Sequence, residues 1–249
     1  MWVPNALVVF LPPSEAKVSG GDRVRTEGVF DSALRRPRRD VAKALDDFVR
    51  RAPQEMLERT LNVRGPLLKR AISATKQVGA HRAPLLPAWQ RYSGVVWTHL
   101  DPSTLSCEQR SRLFVPSGLY GMTSSEDLVA DYRLRMNVRL PGVGNVGSYW
   151  RPRLVSALSS CPRTTTFVNL LPKEHEAAID LEALAGIGEV VNVSFSHRGG
   201  IAAAGHDAKA VKGVLARRVL QEGIGVLESF VWQQWHASRV HECVTIVGP

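Results

Sequence analysis

Short apolar runs rich in β-branched and aromatic residues alternate along this chain with segments of helical periodicity. The runs that we predict as strands are 7–11, 113–120, 165–170, 189–195 and 243–247. The segments that we predict as helices are 38–51, 54–61, 66–77, 147–159, 206–222 and 224–235. Strands that alternate with helices throughout a chain predict an α/β or mixed α+β domain. In the first of these helices Asp40 is the predicted N-cap.

Size and composition agree with one folded unit. Of the 249 residues 44% are hydrophobic and 22% are charged, which is enough apolar material for a core and excludes disorder for the chain as a whole. The length fits one large domain, or one domain with a smaller module. Because we find neither an internal repeat nor a separating linker, we predict a single domain over residues 1–249.

The positive charge of the chain is concentrated in one segment. The formal net charge is +9, and residues 23–91 alone hold 16 Lys or Arg against 7 Asp or Glu, whereas residues 92–249 hold 15 against 14. Clustered cations favour phosphate backbones because their binding releases counterions. A solvated helical surface explains the same charge equally well, so both interpretations remain open from charge alone.

The cysteines do not suggest a metal or disulfide framework. Cys107, Cys161 and Cys243 are far apart and form no CxxC pair. His236 and His241 lie near the last cysteine, but an i, i+5 spacing does not put them on one helical face. We therefore predict no metal site, and no motif identifies a cofactor.

The N-terminal sequence predicts neither a signal peptide nor a membrane-spanning helix. It lacks the charged region of a signal peptide, and the apolar run at 7–11 is far shorter than a membrane helix. We expect a cytoplasmic protein with no membrane partner. The GxGxxG pattern at 142–147 lacks the acidic residue that a dinucleotide site requires about 20 residues later, so a loop before a helix is the better interpretation.

The basic segment predicts a helix–turn–helix arrangement over about residues 38–82. Its central turn, 62–65, lies between two predicted helices and is surrounded by arginine and lysine. Such a turn can present backbone amides and cations to phosphates. The residues that we predict to bind DNA are Arg59, Arg64, Lys69, Arg70 and Lys76.

Several short motifs, in order and at consistent spacing, resemble one known family. They are Leu11-Pro12-Pro13-Ser14-Glu15-Ala16-Lys17, Arg91-Tyr92-Ser93-Gly94-Val95, Ser117-Gly118-Leu119-Tyr120-Gly121, Asp131-Tyr132-Arg133-Leu134, Trp150-Arg151 and Lys209-Ala210-Val211-Lys212-Gly213. Together they resemble the YaaA family, the peroxide-stress proteins with the cantaloupe fold. Gly118 departs from the family pattern, where alanine is usual.

The resemblance implies a fold, a partner and a role. It implies a single mixed α/β domain in a bacterial cytoplasmic protein that limits oxidative damage. It also implies DNA binding through a basic helix-hairpin-helix-like insertion, which would fall at about 38–82, beside a positively charged cleft. That insertion coincides with the cationic excess counted above.

The polar loop after the first strand supports an alternative function as a small-molecule enzyme. In this hypothesis Glu15 is a general base, Lys17 and Arg133 clamp an anion, and Lys209 or Lys212 holds a phosphate or carboxylate. The further residues that we expect in the same cleft are Ser14, Ser117, Tyr120, Tyr132 and Lys212. The substrate would be a small anionic or nucleotide-like ligand. A buried ion network that only holds the fold together would use the same residues.

Overall fold

Parallel strands form the centre of the fold. The computed structural model describes residues 7–22, 26–240 and 243–249. Its strands are β1 (Leu7–Phe10), β2 (Leu85–Pro87), β3 (Leu113–Ser117), β4 (Gly121–Ser124), β5 (Leu128–Ala130), β6 (Arg139–Leu140), β7 (Gly144–Asn145), β8 (Thr166–Asn169), β9 (Glu189–His197), β10 (Val231–Trp232), β11 (Trp235–Val240) and β12 (Cys243–Gly248). Eight of them form one sheet in the order β10-β11-β12-β9-β8-β1-β3-β4.

The first strand lies in the middle of this sheet. It pairs in parallel with β8 on one side and with β3 on the other, Val9 standing opposite Val168 and Leu113. Val8 to Phe10 of the strand and the following Leu11 are at most 1% exposed. The ring of Phe10 stacks on that of Phe167, with the ring centres 5.6 Å apart. A short run that is buried on both faces is typical of a central parallel strand.

Helices lie between these strands along the chain. They are α1 (Asp31–Arg51), α2 (Gln54–Leu61), α3 (Gly65–Gly79), α4 (Ala88–Arg91), α5 (Val95–Leu100), α6 (Cys107–Ser111), α7 (Val146–Leu158), α8 (Lys173–Glu176), α9 (Leu181–Ala185), α10 (Gly205–Glu222) and α11 (Val226–Ser229). The mixed α/β architecture predicted from the alternating pattern is confirmed. No helix in the described part of the chain is both long and apolar enough to cross a membrane.

The first long helix begins earlier than its sequence pattern predicts. It starts at Asp31 rather than near residue 38, so Asp40 lies inside the helix and the predicted N-cap is wrong. In these extra turns Asp31 forms a buried ion pair with Arg38 on the core side of the helix. Pro37 is accommodated within it.

The basic segment contains the two further helices that its sequence predicts, α2 and α3. They are joined by a tight turn in which Asn62 has a left-handed backbone (φ 53°). The inner face of α3 is buried through Leu68, Ala71 and Thr75, which leaves its charged residues outside. The arrangement therefore exposes the cations of the segment.

The last predicted helix, 224–235, is largely wrong. Only the four-residue helix α11 forms there, and β10 and β11 follow as an antiparallel hairpin in which Trp232 stands opposite Trp235. Gln233, with φ 52°, occupies the turn. Pairing of β11 with β12, which itself pairs in parallel with the distant β9, stabilises this hairpin and overrides the local helical pattern.

Candidate functional site

A cleft of about 650 Å³ opens at the carboxyl ends of the central parallel strands. Chain connections leave β1 toward β3 and leave β8 toward β9, on the opposite side. Such a reversal of strand order is where α/β sheets commonly bind ligands. The cleft is lined by residues 12–17, 94–97, 132–135, 172, 174, 175, 195, 203–205, 208, 209 and 212.

The loop after β1 is pinned to the segment before α5. Ser14 Oγ donates a hydrogen bond to the Ser93 carbonyl, and the Ser93 amide donates to the Ala16 carbonyl at 3.1 Å. Gly94 has φ 136°, and a Cβ added to it would lie 2.7 Å from Ser14 Oγ. The motifs at 11–17 and 91–95 thus form one wall of the cleft.

Lys17 is the central cation of this wall. Its Nζ donates to the Ser14 carbonyl at 2.6 Å and lies 4.2 Å from the centre of the Tyr132 ring. Burial lowers the pKa of Lys17 to about 7, against a raising effect of Asp131. The aromatic face favours the ammonium form, but the loss of hydration favours the neutral amine more strongly.

A chain of buried hydroxyl groups lies behind Lys17. The hydroxyls of Tyr92 and Tyr132 are 2.9 Å apart, and Ser117 Oγ donates to the Tyr132 hydroxyl at 2.8 Å. Burial raises the pKa of both phenols, which stay protonated. Ser117 is fully buried, so the structure places it behind the cleft wall and not in the lining. The Tyr120 hydroxyl is also outside the lining and accepts from the Ala130 amide at 2.9 Å.

The opposite wall comes from α8 and α10. Burial lowers the pKa of Lys212 to about 8, against a raising effect of Glu176, and its Nζ lies 5.0 Å from the centre of the Phe195 ring. Lys209, one helical turn earlier, is exposed at the rim. Burial, together with the charges of Lys212 and Lys17, lowers the pKa of His175 to about 4, so this imidazole is neutral at pH 7.

Two polar lining residues escaped the sequence analysis. The Nδ1 atom of His175 and the Nε atom of Arg135 are buried without a hydrogen-bond partner in the described part of the chain. The only sequence signal for His175 is its place just after β8, at the carboxyl end of a parallel strand. The sequence signal for Arg135 is its position two residues after the predicted site residue Arg133, in the segment that follows a short strand.

Glu15 and Arg133 form an ion pair at the mouth of the cleft. Arg133 Nη2 donates to Glu15 Oε2 at 2.6 Å, and Arg133 Nε donates to the Leu61 carbonyl at 3.1 Å. The Glu15 side chain is 54% exposed. Because Arg133 already holds this carboxylate, the amine of Lys17 is the better candidate for the basic group of this cleft.

The structure distributes the predicted DNA-binding residues over different environments. Lys69 and Lys76 border a shallow depression with Arg50 and Arg82, and we call these four residues the basic face. Arg70, in contrast, donates to Asp131 Oδ2 at 2.8 Å beside the cleft.

The two remaining residues of that predicted set lie outside the basic face. Arg59 is exposed on α2. Arg64 is exposed in the turn before α3, with its Nε 3.6 Å from Glu58 Oε2. Both side chains therefore remain accessible to a large anionic partner.

The described residues contain no group of three or more His, Cys, Asp or Glu side chains that could hold a metal ion. Of the residues considered for such a site, His241 lies outside the described residues, and His236 lies in β11. Cys161 is buried, which raises the pKa of its thiol to about 11.

Comparisons with known proteins agree with this architecture. The family model described as peroxide stress protein YaaA matches residues 7–238. A UPF0246 protein of Streptomyces coelicolor is 27% identical over 226 residues, which cover 87% of this chain and 84% of the relative. A UPF0246 protein of Bacteroides thetaiotaomicron is 29% identical over 199 residues, covering 76% and 77%. The resemblance seen in the sequence motifs is confirmed, and the chain belongs to the YaaA family of peroxide stress proteins.

Proposed function

We propose that this peroxide stress protein binds DNA without sequence preference, through the phosphate backbone. The observation that carries the proposal is the basic face, where Arg50, Lys69, Lys76 and Arg82 border one depression. Lys69 and Lys76 are seven residues apart, so they project from the same side of α3 about 10 Å from each other. Cations clustered on one side of a helix gain affinity for a phosphate backbone because their binding releases counterions.

The charge distribution supports the same assignment. The segment that carries the basic face holds the whole net positive charge of the chain. Arg70 is a weaker contact residue, because its guanidinium is held by Asp131 and by the Lys17 carbonyl. The proposed contact set is therefore centred on Lys69, Lys76 and Arg82, with Arg59 and Arg64 as outer contacts.

A salt titration of binding to a short duplex of arbitrary sequence tests the proposal. Each phosphate contact adds about 0.9 to the negative slope of log affinity against log salt. We expect the K69E/K76E double variant to bind more weakly and to lose about two contacts from that slope. The matched control is R163E/R198E, which changes the net charge equally at two exposed residues far from α3 in the sequence.

The control decides the outcome. If both double variants weaken binding equally, only the overall charge matters and the basic face is not the contact surface. If neither variant changes the affinity, or if the parent protein does not bind at physiological salt, the proposed function is wrong. Loss confined to K69E/K76E supports it.

We also propose a second function, the binding of a small anionic ligand in the cleft. The observation that favours it is the presence of Lys17, Arg135, Lys209 and Lys212 around one cleft. Enclosure by aromatic and apolar side chains strengthens each charge interaction with a bound anion. Thermal unfolding with added pyruvate, phosphate or a nucleoside monophosphate tests this: stabilisation that K209E/K212E abolishes supports it, and no stabilisation by any of them contradicts it.

A further inference from the structure

The acids nearest Lys17 are occupied by arginines. Asp131 accepts a hydrogen bond from Arg70 at 2.8 Å, and Glu15 accepts one from Arg133 at 2.6 Å. In the described part of the chain no carboxylate lies within 4 Å of Lys17 Nζ, which instead donates to the Ser14 carbonyl. These arginine pairs keep the acids from forming an ion pair with the amine.

The charges around Lys17 have opposing effects on its proton. Asp131 and Glu15 raise the pKa of Lys17, Arg133 and Arg91 lower it, and burial, the largest effect, lowers it to about 7. About half of the molecules then carry a neutral amine at pH 7. An amine that is neutral, partly buried and open to a cleft meets the requirements of a lysine nucleophile.

The rest of the cleft indicates which electrophile would approach. Lys209 and Lys212 on α10 and Arg135 on the opposite side present cations to the same volume. They would hold a carboxylate, whereas a neutral amine reacts with a carbonyl carbon. A small molecule that combines both groups is a 2-oxo acid.

We propose that Lys17 forms a Schiff base with a 2-oxo acid bound in the cleft. The Nζ lone pair forms a bond to the carbonyl carbon, and the oxygen takes up a proton to give a carbinolamine. Loss of the second amine proton and departure of that oxygen as water leave the C=N bond. No oxidant or reductant is consumed. The inference rests on the second function proposed above, anion binding in the cleft, and is independent of DNA binding.

Reductive trapping of the Schiff base with cyanoborohydride tests the inference directly. The full-length protein is incubated at pH 7 with pyruvate, glyoxylate or 2-oxoglutarate in the presence of cyanoborohydride, and the modified lysine is located by peptide mass spectrometry. An exposed lysine amine is almost wholly protonated at this pH. The neutral fraction of Lys17 is then about a thousandfold larger than that of exposed lysines, and we expect Lys17 to be modified at least tenfold faster than they are. K17R removes the nucleophile and keeps a charged side chain, and K43R, at an exposed lysine of α1 outside the cleft lining, is the matched control.

The possible results separate the inference from the site on which it rests. An adduct on Lys17 that persists in K43R and is absent from K17R supports the inference. Adducts spread evenly over the lysines, or an unchanged total in K17R, overturn it. If the oxo acids stabilise the protein thermally without any adduct, the cleft binds anions but Lys17 is not a nucleophile. If they neither bind nor react, both proposals fail.

A pH profile provides a second readout that does not depend on the oxo acid. Reductive methylation of Lys17 with formaldehyde should rise with a midpoint near pH 7, since only the neutral amine reacts. A midpoint at or above pH 10, the range of ordinary lysines, would overturn the inference even if an adduct forms.

Discussion

Arg70 Nε lies 2.8 Å from Asp131 Oδ2, and Nη2 of the same guanidinium donates to the Lys17 carbonyl at 2.9 Å. One side chain of α3 thereby connects the basic segment to two walls of the cleft. The guanidinium of Arg70 holds both Asp131, which precedes Tyr132, and Lys17, at the end of the loop after β1. The two candidate sites are consequently coupled through Arg70, and a substitution there acts on the cleft as well as on surface charge.

Replacing Arg70 with glutamine should change Lys17 more than it changes DNA binding. Without its partner, the Asp131 charge acts more fully on Lys17 and raises the pKa of that lysine. We expect slower modification of Lys17 at pH 7 and a stability loss of about 1 kcal/mol or less, because the ion pair is partly solvated. Urea unfolding and the methylation profile measure the two effects, with K69Q as the charge-matched control. A lysine profile identical to that of the parent would contradict the coupling.

Replacing Gly118 with alanine should destabilise this chain. A Cβ on Gly118 would lie 2.4 Å from the Leu134 carbonyl oxygen, a backbone atom that cannot move without shifting the strand-like segment around Tyr132. The Gly118 carbonyl also accepts from the indole of Trp150 at 2.8 Å. Overpacking of this kind costs about 1–3 kcal/mol, measurable by chemical denaturation.

The control for this substitution is Gly225→Ala. Gly225 has an ordinary helical backbone, and nothing lies within 4 Å of an added Cβ. We expect a change within about 0.5 kcal/mol. Equal effects of G118A and G225A would show that the contact with Leu134 is relieved at little cost.

Part of the cleft lining follows an apolar strand, which is a feature that the sequence shows. Ser14, Glu15 and Lys17 come directly after β1, and such loops gather at the carboxyl edge of a parallel sheet. Lys209 and Lys212 were found through the motif at 209–213, and both line the cleft. The helices and strands were predictable wherever local periodicity and burial coincide.

The remaining features depend on contacts between distant segments. The sequence predicts Ser117 and Tyr120 in the cleft, but both hydroxyls form hydrogen bonds outside its lining. Ser117 Oγ donates to the Tyr132 hydroxyl, and the Tyr120 hydroxyl accepts from the Ala130 amide. His175 lies in a helix of four residues without periodicity, so only tertiary placement reveals it. At 224–235 the local helical pattern is overridden by strand pairing with β12, which is held in the sheet by β9, about 50 residues earlier in the sequence.

The buried pair of Asp31 and Arg38 should be among the most sensitive positions of the fold. The two residues are 3% and 7% exposed, and Arg38 also donates to the Tyr120 and Met122 carbonyls at 2.8 and 2.6 Å. Removing one member leaves the other charge buried, at a typical cost of about 3–5 kcal/mol. We expect R38M to unfold at much lower urea concentration, whereas the exposed control R35M stays close to the parent.

His175 should contribute to unfolding in mild acid. Its folded pKa of about 4 lies below the ordinary value of 6.5, so between these values the unfolded chain binds more protons. Its contribution to stability is complete above pH 6.5 and is lost as the pH falls toward 4. H175Q should therefore flatten the fall of the unfolding free energy between pH 6.5 and 4. An unchanged slope would mean that the imidazole is hydrated enough to protonate in the folded protein.

Lys17 should lower the stability of the protein at neutral pH. Its folded pKa of about 7 is below the ordinary 10.5, so the unfolded state binds the proton more tightly, and the penalty is complete below pH 7. The penalty disappears as the pH rises from 7 to 10.5, and stability increases over that range. K17M should consequently have a higher melting temperature than the parent at pH 7, with the gain vanishing near pH 10.5. A gain that does not depend on pH would assign the effect to packing. Groups that bind or react often reduce the stability of the fold that holds them, and the partly buried amine of Lys17 fits that pattern.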